Sequence, residues 1–454
     1  MNILLFNSHF KEKNVSSWIT FINYFKKDNK IFILSEDEIS NNIIKSKIVN
    51  AQCNSINFDI IKRQLIKLST KEIYNKYKDT NLFQERLSIK NSYYSILKDD
   101  DEKFEKNISF HIMYFEEYLK INKINIVFMC IINAYESYIY SILENVTKKI
   151  GLKVIMFQHP ILRGFIYENQ LRFSSKIYED YKKFLDKGLE KKEIEKSKAA
   201  IENYKNFVRA ENYYKYIYKK KLKIKPKIKK FFSNFSKKQK LKINKVVNLE
   251  YIKSHKNKIS ILLLNKNDNY RNFKFSPHFS IPETLIRSIA LSLPFEHTLI
   301  VKPHPHNYIT DDRLIEEINL HYNVKLLSQK IHLHDVMPNM NLVFAQSTTS
   351  TIESLMYYKH LILFGKQNQF FGDKFDFITR ISDLEKLKEK IEYLLYLKVN
   401  KNKIDTFFYS LFSNSLSRDL NSDEDWNNVI LKMDEKDVFL KAAIAIKSYL
   451  EEKK

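Results

Sequence analysis

Short, uninterrupted apolar runs recur along this chain, and each ends in a polar cluster. Ile3–Phe6 leads into Asn7-Ser8-His9, and Asn125–Ile132 into Asn133-Ala134-Tyr135-Glu136-Ser137. Val154–Phe157 leads into Gln158-His159-Pro160, and Ile259–Leu264 into Asn265-Lys266-Asn267-Asp268. Lys30–Leu34, Leu299–Val301, Val324–Leu327, Leu342–Ala345 and Leu361–Phe364 are further runs of this kind. Continuous rather than alternating hydrophobicity marks strands covered on both faces, as in parallel sheets. Stretches of helical period lie between them: Ser16–Phe25, a segment ending near Ile150, and Pro282–Leu293. Gly151 is placed to close one helix, and Pro282 to open another. This alternation predicts an α/β fold built from two Rossmann-like domains.

The rhythm breaks in two places. Residues 55–120 are mostly helical by periodicity, which suggests a helical insertion in the first domain. Its acidic cluster, Asp99-Asp100-Asp101-Glu102, is expected to be a solvated loop. From Ser174 to Asn244 the chain is helical and charged, and residues 219–245 hold thirteen Lys and no acid. We therefore divide the chain into residues 1–218, a basic linker 219–257, a second domain 258–425 and a terminal helix 426–454. A basic, partly amphipathic stretch such as 219–245 suits an anionic membrane surface. It also suits nucleic acid, or a plain solvated linker.

The chemistry concentrates at the ends of the predicted strands. After Leu299–Val301 comes Lys302-Pro303-His304-Pro305. The two prolines block continuation of helix or ladder and stiffen the turn. His304 is thereby held beside the cation Lys302, an arrangement suited to a phosphate or a developing anionic leaving group. The alternative is a structural turn whose His caps a neighbour. After Leu342–Ala345 comes Gln346-Ser347-Thr348-Thr349-Ser350-Thr351, then a helix bearing Glu353. Ser and Thr are ordinary N-caps, and the same amides and hydroxyls also receive anions. Both loops would share one edge of a parallel sheet, with Glu353 placed to reach a ribose hydroxyl.

The first domain repeats this logic with Glu136 and His159. Glu136 is a candidate general base or nucleophile, or else a Glu favoured by the helix dipole. His159, before Pro160, is a second catalytic candidate. Arg163 is a candidate acceptor contact for a carboxylate or phosphate. Glu168, His9 and His278 are weaker candidates. His332, His334 and Asp335 have the spacing of a loop or helix start rather than a metal site.

Composition narrows the classes. With 454 residues, 44% hydrophobic and 14% aromatic, the chain is globular and long enough for more than one core. Only five Gly are present, and neither G-x-G-x-x-G nor a P-loop occurs, so a phosphate site must use side chains and helix ends. Cys53 and Cys130 are expected to be separate buried thiols. No apolar run reaches membrane-spanning length and no cleavable leader is evident, so a cytoplasmic location is expected. The net charge of +24 points to polyanionic partners: membrane, nucleic acid or acidic substrates.

The KPHP segment, followed by the Ser/Thr loop and the helix Glu, resembles the C-terminal domain of GT-B glycosyltransferases. Within that fold it is similar to enzymes of bacterial surface polysaccharide assembly: Kdo transferases, HP-motif sialyltransferases and glycerophosphotransferases of teichoic acid. The motif-level likeness covers Ile259–Gly365. It implies two Rossmann-like domains facing across a cleft, an N-terminal acceptor domain, a C-terminal nucleotide-sugar domain, and residues 426–454 crossing back. It implies that His304, Pro305, Ser347, Thr348 and Thr349 contact the donor nucleotide's phosphate. Asn265 and Lys266 depart from the pattern, because capsule enzymes carry a proline-containing loop there. The expected activity is metal-independent transfer of Kdo or a sialic-acid-like sugar from a CMP-sugar to a capsule or lipopolysaccharide glycan, with no further cofactor. Expected partners are the donor, a lipid-linked or growing glycan and an anionic membrane surface through 219–245, on the inner face of the membrane. Alternatives are a CDP-glycerol-type phosphotransferase, an epimerase of the same fold, a basic nucleic-acid-binding protein, and a non-catalytic assembly protein.

Overall fold

A computed structural model describes residues 1–7, 15–35, 52–55, 101–130, 138–158, 166–168, 175–209, 245–265, 279–304, 312–328, 331–346, 350–365 and 375–413, with isolated residues between 71 and 75 and between 440 and 451. The first sheet contains β1 (Asn2–Asn7), β2 (Lys30–Ser35), β3 (Gln52–Ser55), β4 (Ile126–Cys130), β5 (Lys153–Gln158) and β6 (Ile166–Glu168). Their spatial order is β3-β2-β1-β4-β5-β6. All neighbours are parallel except β6, which runs antiparallel to β5. The second sheet contains β7 (Val246–Val247), β8 (Ile259–Leu263), β9 (Thr298–Lys302), β10 (Val324–Leu327), β11 (Leu342–Ala345), β12 (His360–Phe364) and β13 (Thr379–Ile381). Its order is β13-β12-β11-β8-β9-β10-β7, and every pair is parallel.

Both sheets are doubly wound. From β8 the chain steps outward through β9 and β10. It then returns to the other side of β8 as β11 and moves out through β12 and β13. The first sheet does the same about β1 and β4. Each sheet therefore has a switch point, between β1 and β4 and between β8 and β11, where loops diverge above the strand ends. These are the two Rossmann-like sheets anticipated from the apolar runs.

Strand geometry explains why the runs are continuous. Alternate residues face opposite sides, and both sides are covered. Leu4, Phe6, Phe32, Leu34, Val127 and Met129 pack with the helices Asp101–Ile121 and Tyr138–Lys149. Phe128 points the other way and meets Phe21 and Phe25 of the helix Val15–Lys26, at centroid distances of 5.6 and 5.3 Å. In the second sheet Leu262, Leu299, Val301 and Phe344 face the helices Pro282–Ser292, Asp312–Leu320 and Leu387–Tyr396. Ile261, Leu263, Ile300, Val343 and Leu363 face the other way. Each such side chain contributes about 1.5–3 kcal/mol on burial.

That other face is covered by helices from two distant parts of the chain. Lys401–Ser413 packs there with Ser175–Lys187 and Lys191–Arg209. Ile177, Tyr181, Ala200, Ile201 and Tyr204 join the same core as Ile261 and Phe407. Ser410 Oγ donates to the carbonyl of Ile177 at 2.6 Å, and Tyr409 donates to Glu193 at 2.7 Å. Sequence order groups residues 175–209 with the first domain, but their apolar faces pack on the second sheet. Lys447 approaches the first domain, 3.4 Å from Asp28 and 5.8 Å from the Tyr24 ring centroid.

Several local expectations meet the structure directly. Gly151 closes its helix at φ 72°, with Leu152 N donating to Thr147 O and Gly151 N to Lys148 O, the Schellman arrangement. Lys123 takes the same role at φ 47°, with Ile124 N donating to Leu119 O. A left-handed Lys costs about 1–2 kcal/mol, a consequence of a chain so poor in Gly. Asp101 opens a helix, so residues 101–102 are not the loop expected of the acidic cluster. Cys53 lies in β3 and Cys130 in β4, with β2 and β1 between them. Three inter-strand steps of about 4.8 Å separate them, beyond disulfide reach.

Candidate functional site

The C-terminal edge of the second sheet brings together a lysine, two histidines, a glutamate and two tyrosines. Lys302 ends β9 and is buried. Its backbone carbonyl accepts from Leu264 N at 3.0 Å, which ties the ends of β8 and β9 together. Its ammonium reaches the carbonyl of Ile331 at 3.5 Å. Burial pushes the Lys302 ammonium down to about 8, against the upward pull of the Glu353 carboxylate. A buried cation with so little compensation favours an anionic ligand.

After β10 the chain enters a short helix, Leu333–Val336, capped by His332. His332 Nδ1 accepts from His334 N at 3.1 Å, and the two rings lie 5.1 Å apart. Burial first, then the neighbouring His334, push His332 down to about 4. His332 is therefore neutral near pH 7. His334 is buried, and its Nδ1 lies 2.8 Å from the Tyr357 hydroxyl. Its Nε2 lies 3.7 Å from Glu353 Oε1.

Glu353 stands in the helix Ser350–Leu355 after β11. Its Oε1 accepts from the Tyr204 hydroxyl at 2.9 Å. Burial works against its ionisation. The hydrogen bond and charge of His334, with the Tyr204 hydroxyl, outweigh that effect and hold the carboxyl below its ordinary value. Lys205, next to Tyr204, places its ammonium 4.4 Å from the Tyr357 ring centroid, a cation–π contact. The helix Lys191–Arg209 thus reaches into the strand-end cluster with two consecutive residues.

The structure couples two of the sequence candidates, Lys302 and Glu353, electrostatically. His304 is half-buried two residues beyond Lys302. Pro305, Ser347, Thr348 and Thr349 lie outside the described residues, as do Glu136, His159, Arg163, His9 and His278. Gln346, the last described residue before the hydroxyl-rich loop, is buried and donates to the carbonyl of Phe279. That bond joins the ends of the segments flanking the switch point. Glu168 lies in β6. Among the described residues no three His, Cys, Asp or Glu side chains gather for a metal ion.

Sequence reasoning missed Tyr204 and Tyr357 and gave His334 no role. A signal for Tyr204 was present: Ile194, Ser197, Ile201 and Tyr204 recur at helical spacing within a charged stretch, the pattern of a docking face. Which core that face would meet was not in the pattern.

Neither a protein-family model nor a curated protein matches the chain. Solved structures resemble it loosely. Thermosulfurimonas dismutans KpsC, a beta Kdo 2,7 transferase, is 10% identical with a TM-score of 0.35, over 65% of this chain and 79% of that one. Methanocaldococcus jannaschii UDP-GlcNAc 2-epimerase, in complex with UDP-GlcNAc and UDP, is 13% identical with a TM-score of 0.33, over 91% and 99%. Anabaena Alr3699/HepE in complex with UDP is 9% identical with a TM-score of 0.34, over 99% and 100%. Likenesses this distant assign neither family nor activity. No described helix is long and apolar enough to cross a membrane.

Proposed function

We propose that this chain is a nucleotide-sugar-dependent glycosyltransferase of surface polysaccharide assembly, with a CMP-linked Kdo or sialic-acid-like sugar as donor. The observation that supports it best is the buried, poorly compensated Lys302 ammonium facing Glu353 at the C-terminal edge of the second sheet. Ligands of doubly wound sheets bind at this edge, by the switch point. The sequence likeness of the KPHP and Ser/Thr segments supports the choice of donor class.

In this reading the acceptor hydroxyl attacks the anomeric carbon. The bond from that carbon to the nucleotide's phosphate oxygen breaks, and the phosphate leaves with the electron pair. Lys302 and His304 balance its charge. Ser347, Thr348 and Thr349 bind it through hydroxyls and backbone amides. Glu353 offers a carboxylate oxygen to a ribose hydroxyl while Tyr204 holds Oε1 in place. Glu136 or His159 takes the acceptor's proton, and Arg163 meets an acidic group on the acceptor. No metal ion takes part.

Thermal shift with CMP, CDP, UDP and GDP, with and without EDTA, tests this on wild type, Lys302→Met and His304→Ala. CMP is expected to raise the wild-type melting temperature without metal, by mass action on the folded state, and to lose that effect in both variants. Stabilisation by UDP or CDP instead replaces the donor assignment. Absence of any nucleotide effect overturns the transferase reading.

A further inference from the structure

The end of the second sheet opposite Lys302 holds a cavity of about 290 Å³ that the transferase reading does not use. It opens at the feet of three neighbouring strands. Lys256 and Asn257 precede β8, Asn341 precedes β11, and Lys359 with His360 leads into β12. The end of the helix Leu387–Tyr396 supplies an apolar wall through Leu394, Leu395 and Leu397. β8 and β12 are each five residues long. At about 3.3 Å per residue, a full strand length separates the cavity from the Lys302 edge.

The walls are fixed by their own bonds. Asn341 N donates to the carbonyl of Ile259 at 2.8 Å. The Lys359 ammonium donates to the carbonyl of Pro338 at 2.8 Å, and His360 Nε2 to the carbonyl of Leu397 at 2.7 Å. Asn257 and Tyr358, at φ 80° and 52°, hold a left-handed backbone that few bulky residues adopt. The Tyr358 hydroxyl, donating to Asp405 at 2.6 Å, anchors one of them. A pocket built this way needs little reordering to receive a ligand.

Two features of the lining select the ligand's chemistry. The side-chain oxygen of Asn341 is buried and has no hydrogen-bond partner. A buried acceptor in that state is costly, and a hydroxyl or N–H of a ligand relieves the cost. The lining is also cationic. Among the described residues it contains Lys256, Lys359 and His360 and no acid. Neither lysine has a carboxylate partner among the described residues. Burial holds the Lys359 ammonium below the ordinary lysine value, with no negative charge opposing it.

We propose that this cavity binds a small hydroxylated anion, the chemistry shared by sugar acids and sugar phosphates. Lys256 and Lys359 meet the carboxylate or phosphate. A ligand hydroxyl donates to Asn341 Oδ1, and the carbon skeleton lies against Leu394, Leu395 and Leu397. At about 290 Å³ the cavity stands at the lower end of ligand pockets, the size of one monosaccharide rather than of a nucleotide-sugar. The proposal does not depend on the nucleotide-sugar reading.

Isothermal titration calorimetry of the full chain tests it with glucuronate, glucose 6-phosphate, glucose and inorganic phosphate. At least one of the two hydroxylated anions is expected to bind, and which one identifies the anionic group. Glucose and inorganic phosphate are expected to bind at least about tenfold more weakly. Lys256→Met with Lys359→Met is expected to weaken binding at least about tenfold. Asn341→Asp, of the same shape, sets a carboxylate beside the anion and is expected to do the same, with melting temperatures measured alongside. Lys302→Met is expected to leave binding unchanged, which separates this cavity from the nucleotide site. Absence of binding by both hydroxylated anions overturns the proposal, as does undiminished binding in the lysine double variant. Loss of binding in Lys302→Met overturns it too, because the probe would then occupy the other edge. Inorganic phosphate binding as tightly as glucose 6-phosphate overturns it in favour of an adventitious ion only.

Discussion

Two glutamates on helices of the second sheet are buried to similar degrees and held in opposite ways. Glu317, 5% exposed, receives Arg287 through both oxygens, at 3.0 and 2.6 Å, and His321 at 2.7 Å. Glu353, 14% exposed, receives a tyrosine hydroxyl at 2.9 Å and has His334 at 3.7 Å. Burial raises both carboxyls, and in both the neighbours outweigh burial and lower them. For Glu317 the compensation is a bidentate guanidinium, which ties the helix Asp312–Leu320 to the helix Pro282–Ser292. For Glu353 it comes first from the imidazole of His334, then from the Tyr204 hydroxyl and from His332. Burial of charge alone therefore does not mark a functional site. What sets the Glu353 cluster apart is that its cation, Lys302, keeps a lowered affinity for its proton, so an incoming anion has something to satisfy.

The comparison breaks most visibly through Lys302. Lys302→Met is expected to cost about 10–100-fold in nucleotide affinity by calorimetry, the size of a charge-assisted hydrogen bond. Glu353→Gln is expected to alter nucleotide binding, whereas Glu317→Gln lowers the melting temperature and leaves binding alone. If Glu317→Gln disturbs binding as much as Glu353→Gln, the two glutamates do not differ as argued.

Titration sharpens it next. Only the protonated Lys302 attracts a phosphate, so nucleotide affinity should decline as pH rises through about 8. Lys302→Arg, charged throughout, should flatten that decline in a pH series of binding isotherms. The stability effect has the opposite sense. The unfolded chain holds this proton more tightly, so stability from this group rises between pH 8 and 10.5.

Tyr204→Phe removes one hydrogen bond from Glu353 and should cost about 1 kcal/mol in chemical denaturation, with weaker nucleotide binding as its second readout. The smallest effect is expected at His332. Its folded pKa, about 4, lies below the ordinary 6.5, so stability is lost as pH falls through that interval. His332→Asn keeps a capping acceptor and should reduce that loss in denaturation midpoints measured across the same range.

Much of this was legible in the residues. The strands Val324–Leu327 and Leu342–Ala345 appear as expected, and β1, β8, β9 and β12 differ from their apolar runs by a residue or so at either end. Strands covered on both faces must be apolar throughout, and that signal is local. The strands β3, β6, β7 and β13 were not anticipated. They are two to four residues long, they lie at sheet edges, and β3 reads Gln-Cys-Asn-Ser. Such strands are held by pairing with a neighbour rather than by their own hydrophobicity.

By itself the amino-acid sequence determined that the chain folds as parallel α/β units, that Lys302 would end one strand, and that Glu353 would lie in the helix following another. These follow from period and punctuation, which act over a few residues. Only the tertiary structure decided that Tyr204 would close on Glu353 across 149 residues. It also decided that helices 175–209 would complete the second core, and that Lys256, Asn341 and Lys359 would line one cavity. An amphipathic helix announces that it has an apolar face. Which partner buries that face depends on how well the facing surfaces fit, and no single segment contains that information.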